Sequence, residues 1–98
     1  MSLLKRKSIK RDMLSQKVTL TATNGLHARP AGELVKLIKS LDGKVRLATA
    51  AKSVDGASML GVLSLGVKSG AEIEVTVEGG AEEQNLQRVV EFIAAIKD

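Results

Sequence analysis

The sequence predicts an α+β fold: a four-stranded antiparallel sheet with three helices on one face, in the order β-α-β-β-α-β-α. Two observations carry this. Each clear strand alternates apolar with polar residues, so the sheet has one dry face and one wet face. Between and after the strands, apolar residues recur at spacings of three and four, which marks helices with a single core-facing stripe. Helices on one face of an antiparallel sheet satisfy both patterns.

The first strand begins near Ser15, with Val18, Leu20 and Ala22 alternating with Lys17, Thr19 and Thr21. Asn24-Gly25 marks a turn. After Pro30, apolar residues fall at Ala31, Leu34, Val35, Ile38 and Leu41, with Glu33, Lys36 and Lys39 on the other face. Asp42-Gly43 closes this helix, glycine being suited to a left-handed cap. Val45 and Leu47, alternating with Lys44 and Arg46, form the second strand, and a weaker third strand spans Lys52 to Asp55. Ala50-Ala51 is a poor turn sequence for that hairpin. Residues 58–65 read as a short apolar helix, and Gly66 and Ser69-Gly70 break the chain after it. Ile73, Val75 and Val77 alternate with Glu72, Glu74, Thr76 and Glu78 in the clearest strand. Residues 82–97 form the last helix, with a stripe of Leu86, Val89, Val90, Ile93, Ala94 and Ile96. The last strand is acidic on its polar face, whereas the first two are basic. Cross-strand ion pairs, each worth about 0.2–1 kcal/mol, favour placing the last strand between the first two.

Length and composition fit one small domain. The chain has 98 residues, 44% of them hydrophobic, and Phe92 is its single aromatic residue, so the core is aliphatic. There is no cysteine and only one histidine, which excludes thiolate and all-imidazole metal sites. No metal or cofactor is expected. No apolar run is long enough to span a membrane, and no apolar stretch follows the basic N-terminus as in a secretory signal. A cytoplasmic location follows. Residues 1–12 carry Lys5, Arg6, Lys7, Lys10 and Arg11 against Asp12, a net of +4, while the remaining ten Lys and Arg balance ten Asp and Glu. Residues 1–13 therefore read as a flexible basic arm, and residues 14–98 as the domain. A neutral body without Tyr or Trp does not fit nucleic-acid binding.

The informative segment is Asn24-Gly25-Leu26-His27-Ala28-Arg29-Pro30-Ala31. Pro30 suits the first turn of a helix, which places His27 near the N-cap. Backbone N–H groups at a helix start lack acceptors, and the dipole there favours anions. Ala28, Pro30 and Ala31 thus frame a phosphate-binding helix end. Arg29 adds a forked cationic donor, and a neutral imidazole is a competent nucleophile. The competing structural reading makes His27 a simple cap and Arg29 a solvated charge.

The second motif, Ser58-Met59-Leu60-Gly61-Val62-Leu63-Ser64-Leu65-Gly66, changes the balance. Together the two segments resemble the active-site and regulatory-serine signatures of the HPr family, the histidine phosphocarriers of the bacterial phosphoenolpyruvate-dependent sugar phosphotransferase system. The resemblance runs from about Lys17 to Ile96. It implies an open-faced β-sandwich with strand order 1-4-2-3. It implies a phosphocarrier, and not an enzyme, that takes phosphate from Enzyme I on His27 Nδ1 and passes it to sugar-specific IIA domains. It also makes Ser58 a regulatory site for an HPr kinase/phosphorylase, the product docking on a transcriptional regulator.

Three features depart from the family pattern: the basic arm, Ala50-Ala51 in place of an Asn-Gly-like turn, and Ala57 where lysine is common before the serine. A short helix cannot turn Met59, Leu60, Val62, Leu63 and Leu65 all inward. Met59, Leu60 and Leu63 are therefore expected to include partner contacts. The protein is expected to be a monomer. Alternatives are a carrier in a purely regulatory branch, a regulator acting only through phospho-Ser58, and an RNA-binding module driven by the arm.

Overall fold

The computed structural model describes residues 13–97. Seven elements follow in the expected order: β1 (Met13–Thr19), α1 (Ala28–Lys39), β2 (Lys44–Ala48), β3 (Ser53–Asp55), α2 (Met59–Ser64), β4 (Glu72–Glu78) and α3 (Glu82–Ala95). The strands form one sheet in the order β1-β4-β2-β3, with every neighbouring pair antiparallel. The arm expected over residues 1–13 lies outside the described residues except for Met13, which opens β1.

The acidic strand does lie between the two basic ones. Lys17 stands opposite Glu74, and its Nζ is 4.0 Å from Glu72 Oε1. Lys44 stands opposite Glu78. Arg46 lies between Thr76 and Asp55, with its Nε donating to Ser53 Oγ at 3.2 Å. These groups are exposed, so each contributes about 1 kcal/mol at most and serves mainly to set register. The other face holds the fold. Val18, Val45, Leu47, Ile73, Val75 and Val77 are buried there beneath Leu34 and Ile38 of α1, Val62 of α2, and Leu86, Val89 and Ile93 of α3. Each large side chain buried in this layer contributes roughly 1.5–3 kcal/mol.

Several local expectations are corrected. β1 ends at Thr19, yet Leu20 and Ala22 are fully buried. Leu20 remains tied to the β4 side, donating to the Ala71 carbonyl at 2.9 Å and accepting from Gly70 N–H at 2.7 Å. Ala94 faces solvent, and Asn85 takes a buried place on α3 instead. Helix α1 ends at Ser40 in right-handed geometry, and Gly43 has no positive φ. Gly43 is needed for space, because a Cβ there would collide with the Gly79 carbonyl. The poor turn at Ala50-Ala51 is closed by its neighbours. Thr49 N–H donates to the Lys52 carbonyl at 2.9 Å, and Thr49 Oγ1 accepts from Ala51 N–H at 3.2 Å.

Asn85 is buried but satisfied, since its Nδ2 donates to Asp42 Oδ1 at 2.9 Å. Ala81 N–H donates to the same oxygen at 3.3 Å, so one carboxylate joins the α1–β2 loop to the start of α3. These two bonds, the Asn85 one foremost, hold the Asp42 carboxyl below its ordinary pKa. A depressed folded-state pKa stabilises the fold above the ordinary carboxylate range, and that contribution fades as pH falls through the lowered value. Asp42→Asn is therefore expected to flatten the loss of thermal stability below about pH 4. Melting curves from pH 5 to pH 2 check this: an acid limb as steep as that of the wild type would assign the dependence to other carboxylates.

Candidate functional site

His27 is the N-cap of α1, in extended geometry, and its side chain makes no capping bond. Its carbonyl accepts the first intrahelical bond, from Ala31 N–H at 2.9 Å. Pro30 brings no N–H, so the amides ahead of that bond are those of Ala28 and Arg29. No acidic residue occupies the first turn to neutralise the positive helix end. The ring itself is asymmetric. Nε2 is buried with no hydrogen-bond partner. The residue as a whole is half-buried, so the ring is not wholly enclosed. Arg29 is exposed and lines a shallow cleft of about 330 Å³, shared with Pro30, Glu33, Phe92 and the end of the chain at Ile96 and Lys97.

The loop that delivers His27 is fixed by a long-range contact that no local pattern announces. Gly25 has φ +68°, and a Cβ on it would lie 2.5 Å from the Val67 carbonyl oxygen. The next residue, Leu26, donates its N–H to that same oxygen at 3.0 Å. Glycine is thus required both for conformation and for space. The sequence marked Gly25 as a turn; its partner Val67, more than forty residues on, carries no signal beyond the nearby Gly66 and Gly70.

Ser58 is the N-cap of α2, with Oγ accepting from Gly61 N–H at 3.1 Å. Just before it, Asp55 Oδ1 accepts from Ala57 N–H at 2.9 Å. The three apolar residues of α2 singled out by sequence separate by environment. Met59 is half-buried, and its methyl group approaches Gly32 of α1. Leu63 is at the margin of exposure, and Leu60 is 82% exposed. Helices α1 and α2 therefore form one surface, with His27 at one end and Leu60 standing out of it. No hydrogen bond joins His27 to Ser58. No group of three His, Cys, Asp or Glu residues suited to a metal occurs among the described residues, and none of their helices is long and apolar enough to cross a membrane.

Residues 14–95 match the family model of the PTS HPr component phosphorylation site. The chain belongs to the HPr family. The phosphocarrier protein HPr of Borreliella burgdorferi is 31% identical over 86 residues, covering 88% of this chain and 100% of that protein. The crystal structure of HPr from Bacillus anthracis matches with a TM-score of 0.80 at 28% identity, covering 84% of this chain and 98% of that one. Crh of Bacillus subtilis, described as a dimer with a swapping domain, matches with a TM-score of 0.66 at 31% identity over 80% of this chain and 90% of its own. The fold and the phosphocarrier role within the phosphotransferase system follow from HPr membership.

Proposed function

We propose that this HPr protein carries its phosphoryl group on His27 Nδ1, receiving it from Enzyme I and passing it to sugar-specific IIA domains. The observation that carries this reading is the place of His27: it caps α1 without using its side chain, and its Nε2 is buried with no hydrogen-bond partner, which leaves Nδ1 as the nitrogen to react. In transfer, the Nδ1 lone pair attacks phosphorus as the bond to the donor breaks, so the attacking nitrogen must be unprotonated. Passage to the acceptor reverses these roles. The protein's contribution is positioning and charge: the open amides at the start of α1 and the cationic Arg29, two residues on from His27, offset the negative charge spread over the equatorial oxygens. Incubation with Enzyme I and labelled phosphoenolpyruvate, followed by mapping of acid-labile phosphate, tests the assignment. Label on any residue other than His27 would overturn it.

Leu60 supports a docking role for α2, because a leucine that is 82% exposed contributes little to the core. Leu60→Asp is expected to weaken Enzyme I binding at least about tenfold while stability stays within about 0.5 kcal/mol. A large fall in melting temperature with binding unchanged per folded molecule would return Leu60 to the core. We take the carrier to act as a monomer, which light scattering in the presence and absence of Enzyme I would check.

Ser58 is the proposed regulatory site. Its cap bond to Gly61 gives it a structural role already, and a phosphate at the same position would be stabilised by the helix end. The domain should therefore stay folded while about −2 of charge appears beside Leu60 and Met59, repelling Enzyme I and presenting a ligand for a regulator with a basic pocket. Treatment with HPr kinase and ATP should add one phosphate at Ser58, read by mass spectrometry. No modification, alongside a labelled homologue, would leave Ser58 as a helix cap.

A further inference from the structure

We infer that Asp55 restrains the proposed modification of Ser58: its carboxylate, fixed in the turn that ends on this serine, opposes the charge of an incoming phosphoryl group, so that Ser58 takes phosphate more slowly than it would with a neutral residue there. This rests on Ser58 being the regulatory site, as proposed above. Asp55 closes β3, and two bonds tie it to the turn that follows. Its Oδ1 accepts from Ala57 N–H at 2.9 Å, and its carbonyl accepts from Ser58 N–H at 3.1 Å. Gly56 N–H, between them, donates to the Val45 carbonyl at 2.8 Å. A Cβ on Gly56 would lie 2.8 Å from Ile38 Cδ1 and 3.0 Å from the Val45 oxygen, so the turn is packed as well as bonded. The carboxylate is thus held three residues before Ser58, and leaving that place costs it a hydrogen bond.

No cation is paired with this charge. Between Lys52 and Lys68, Asp55 is the only charged residue in the sequence. Lys52 is engaged elsewhere, its Nζ donating to Ser64 Oγ at 3.2 Å. Arg46 stands opposite Asp55 on β2, but its Nε donates to Ser53 Oγ. Lys39, Lys44 and Glu78 line a cleft that Asp55 borders, yet among the described residues Asp55 forms no ion pair. A phosphoserine adds about −2 of charge, which is stabilised beside a cation and opposed beside a carboxylate. Asp55 is exposed and Ser58 is half-buried, so the repulsion is modest and salt screens it.

The test treats wild type, Asp55→Asn, Asp55→Ser and Glu72→Gln with HPr kinase and ATP. Asparagine and serine each keep an oxygen for Ala57 N–H, so both variants should melt within about 4 °C of wild type. At low salt both should be phosphorylated on Ser58 with kcat/KM about two- to fivefold higher than wild type, and the gain should shrink toward about 0.5 M salt. Glu72→Gln is an equal charge change on β4, with β2 standing between it and β3, and should follow the wild type. The phosphorylated proteins give a second readout that is free of kinase docking. By phosphorus NMR, the second pKa of the phosphoserine should be lower by at least about 0.3 in the two neutral variants, the same twofold effect on a logarithmic scale. Equal rates in wild type and the neutral variants would overturn the inference, as would an equal gain from Glu72→Gln. Faster modification with an unchanged phosphate titration would place the effect of Asp55 in kinase docking and overturn it too. Failure of the kinase to modify Ser58 in all four proteins, with a homologue labelled alongside, would overturn the regulatory reading itself, and this inference with it.

Discussion

His27→Ala is expected to abolish phosphorylation by Enzyme I while leaving the fold intact. The chemical half of this expectation is simple: the chain has no other imidazole, so no other side chain can form the same acid-labile bond. The structural half follows from the position. His27 caps α1 with its backbone and not with its side chain, so alanine leaves the Ala31–His27 bond in place. Its buried Nε2 has no partner, and an unsatisfied buried nitrogen costs stability while it is present. Removing the ring should therefore change stability by no more than about 1 kcal/mol in either direction. Labelling and a thermal melt on the same preparation separate the two halves. Acid-labile label persisting on the variant would end the assignment; loss of label together with loss of the cooperative melt would make His27 a structural residue.

Much of the fold was legible in the sequence because its elements rest on local periodicity. β4 and α1 are the clearest cases: Ile73, Val75 and Val77 alternate with glutamates, and Ala31, Leu34, Val35 and Ile38 mark one helical face. Even the strand order could be read, since opposite charges on exposed faces report which strands are neighbours. What the sequence hid are features whose partners lie far along the chain. Asn85 looks like a polar helix position until Asp42 is brought to it. Gly43 looks like a helix cap, but it makes room for Gly79. The site divides in the same way. His27, Arg29 and Pro30 lie within one short motif, so their convergence was visible. The contact of Gly25 with Val67 depends on chain closure through the sheet and leaves no periodic trace.

Arg29 carries the second large expectation. It occupies the first turn of α1, where the helix dipole disfavours a cation by about 0.3–1 kcal/mol. Its exposed side chain adds little to the core. A guanidinium at this position gains its value when a dianionic group arrives, because its fork can donate two hydrogen bonds to phosphoryl oxygens. Arg29→Ala is accordingly expected to slow phosphotransfer through His27 at least about tenfold, equivalent to roughly 1.4 kcal/mol of barrier. The variant should still melt cooperatively, because Arg29 is exposed and outside the core. Arg29→Lys should recover part of the rate, since it keeps the charge and loses the fork. Rapid-quench transfer assays with Enzyme I on all three proteins decide the matter. An alanine variant within twofold of wild type would show that the helix-end amides suffice, and a lysine variant no better than alanine would make the fork, and not the charge, the active feature.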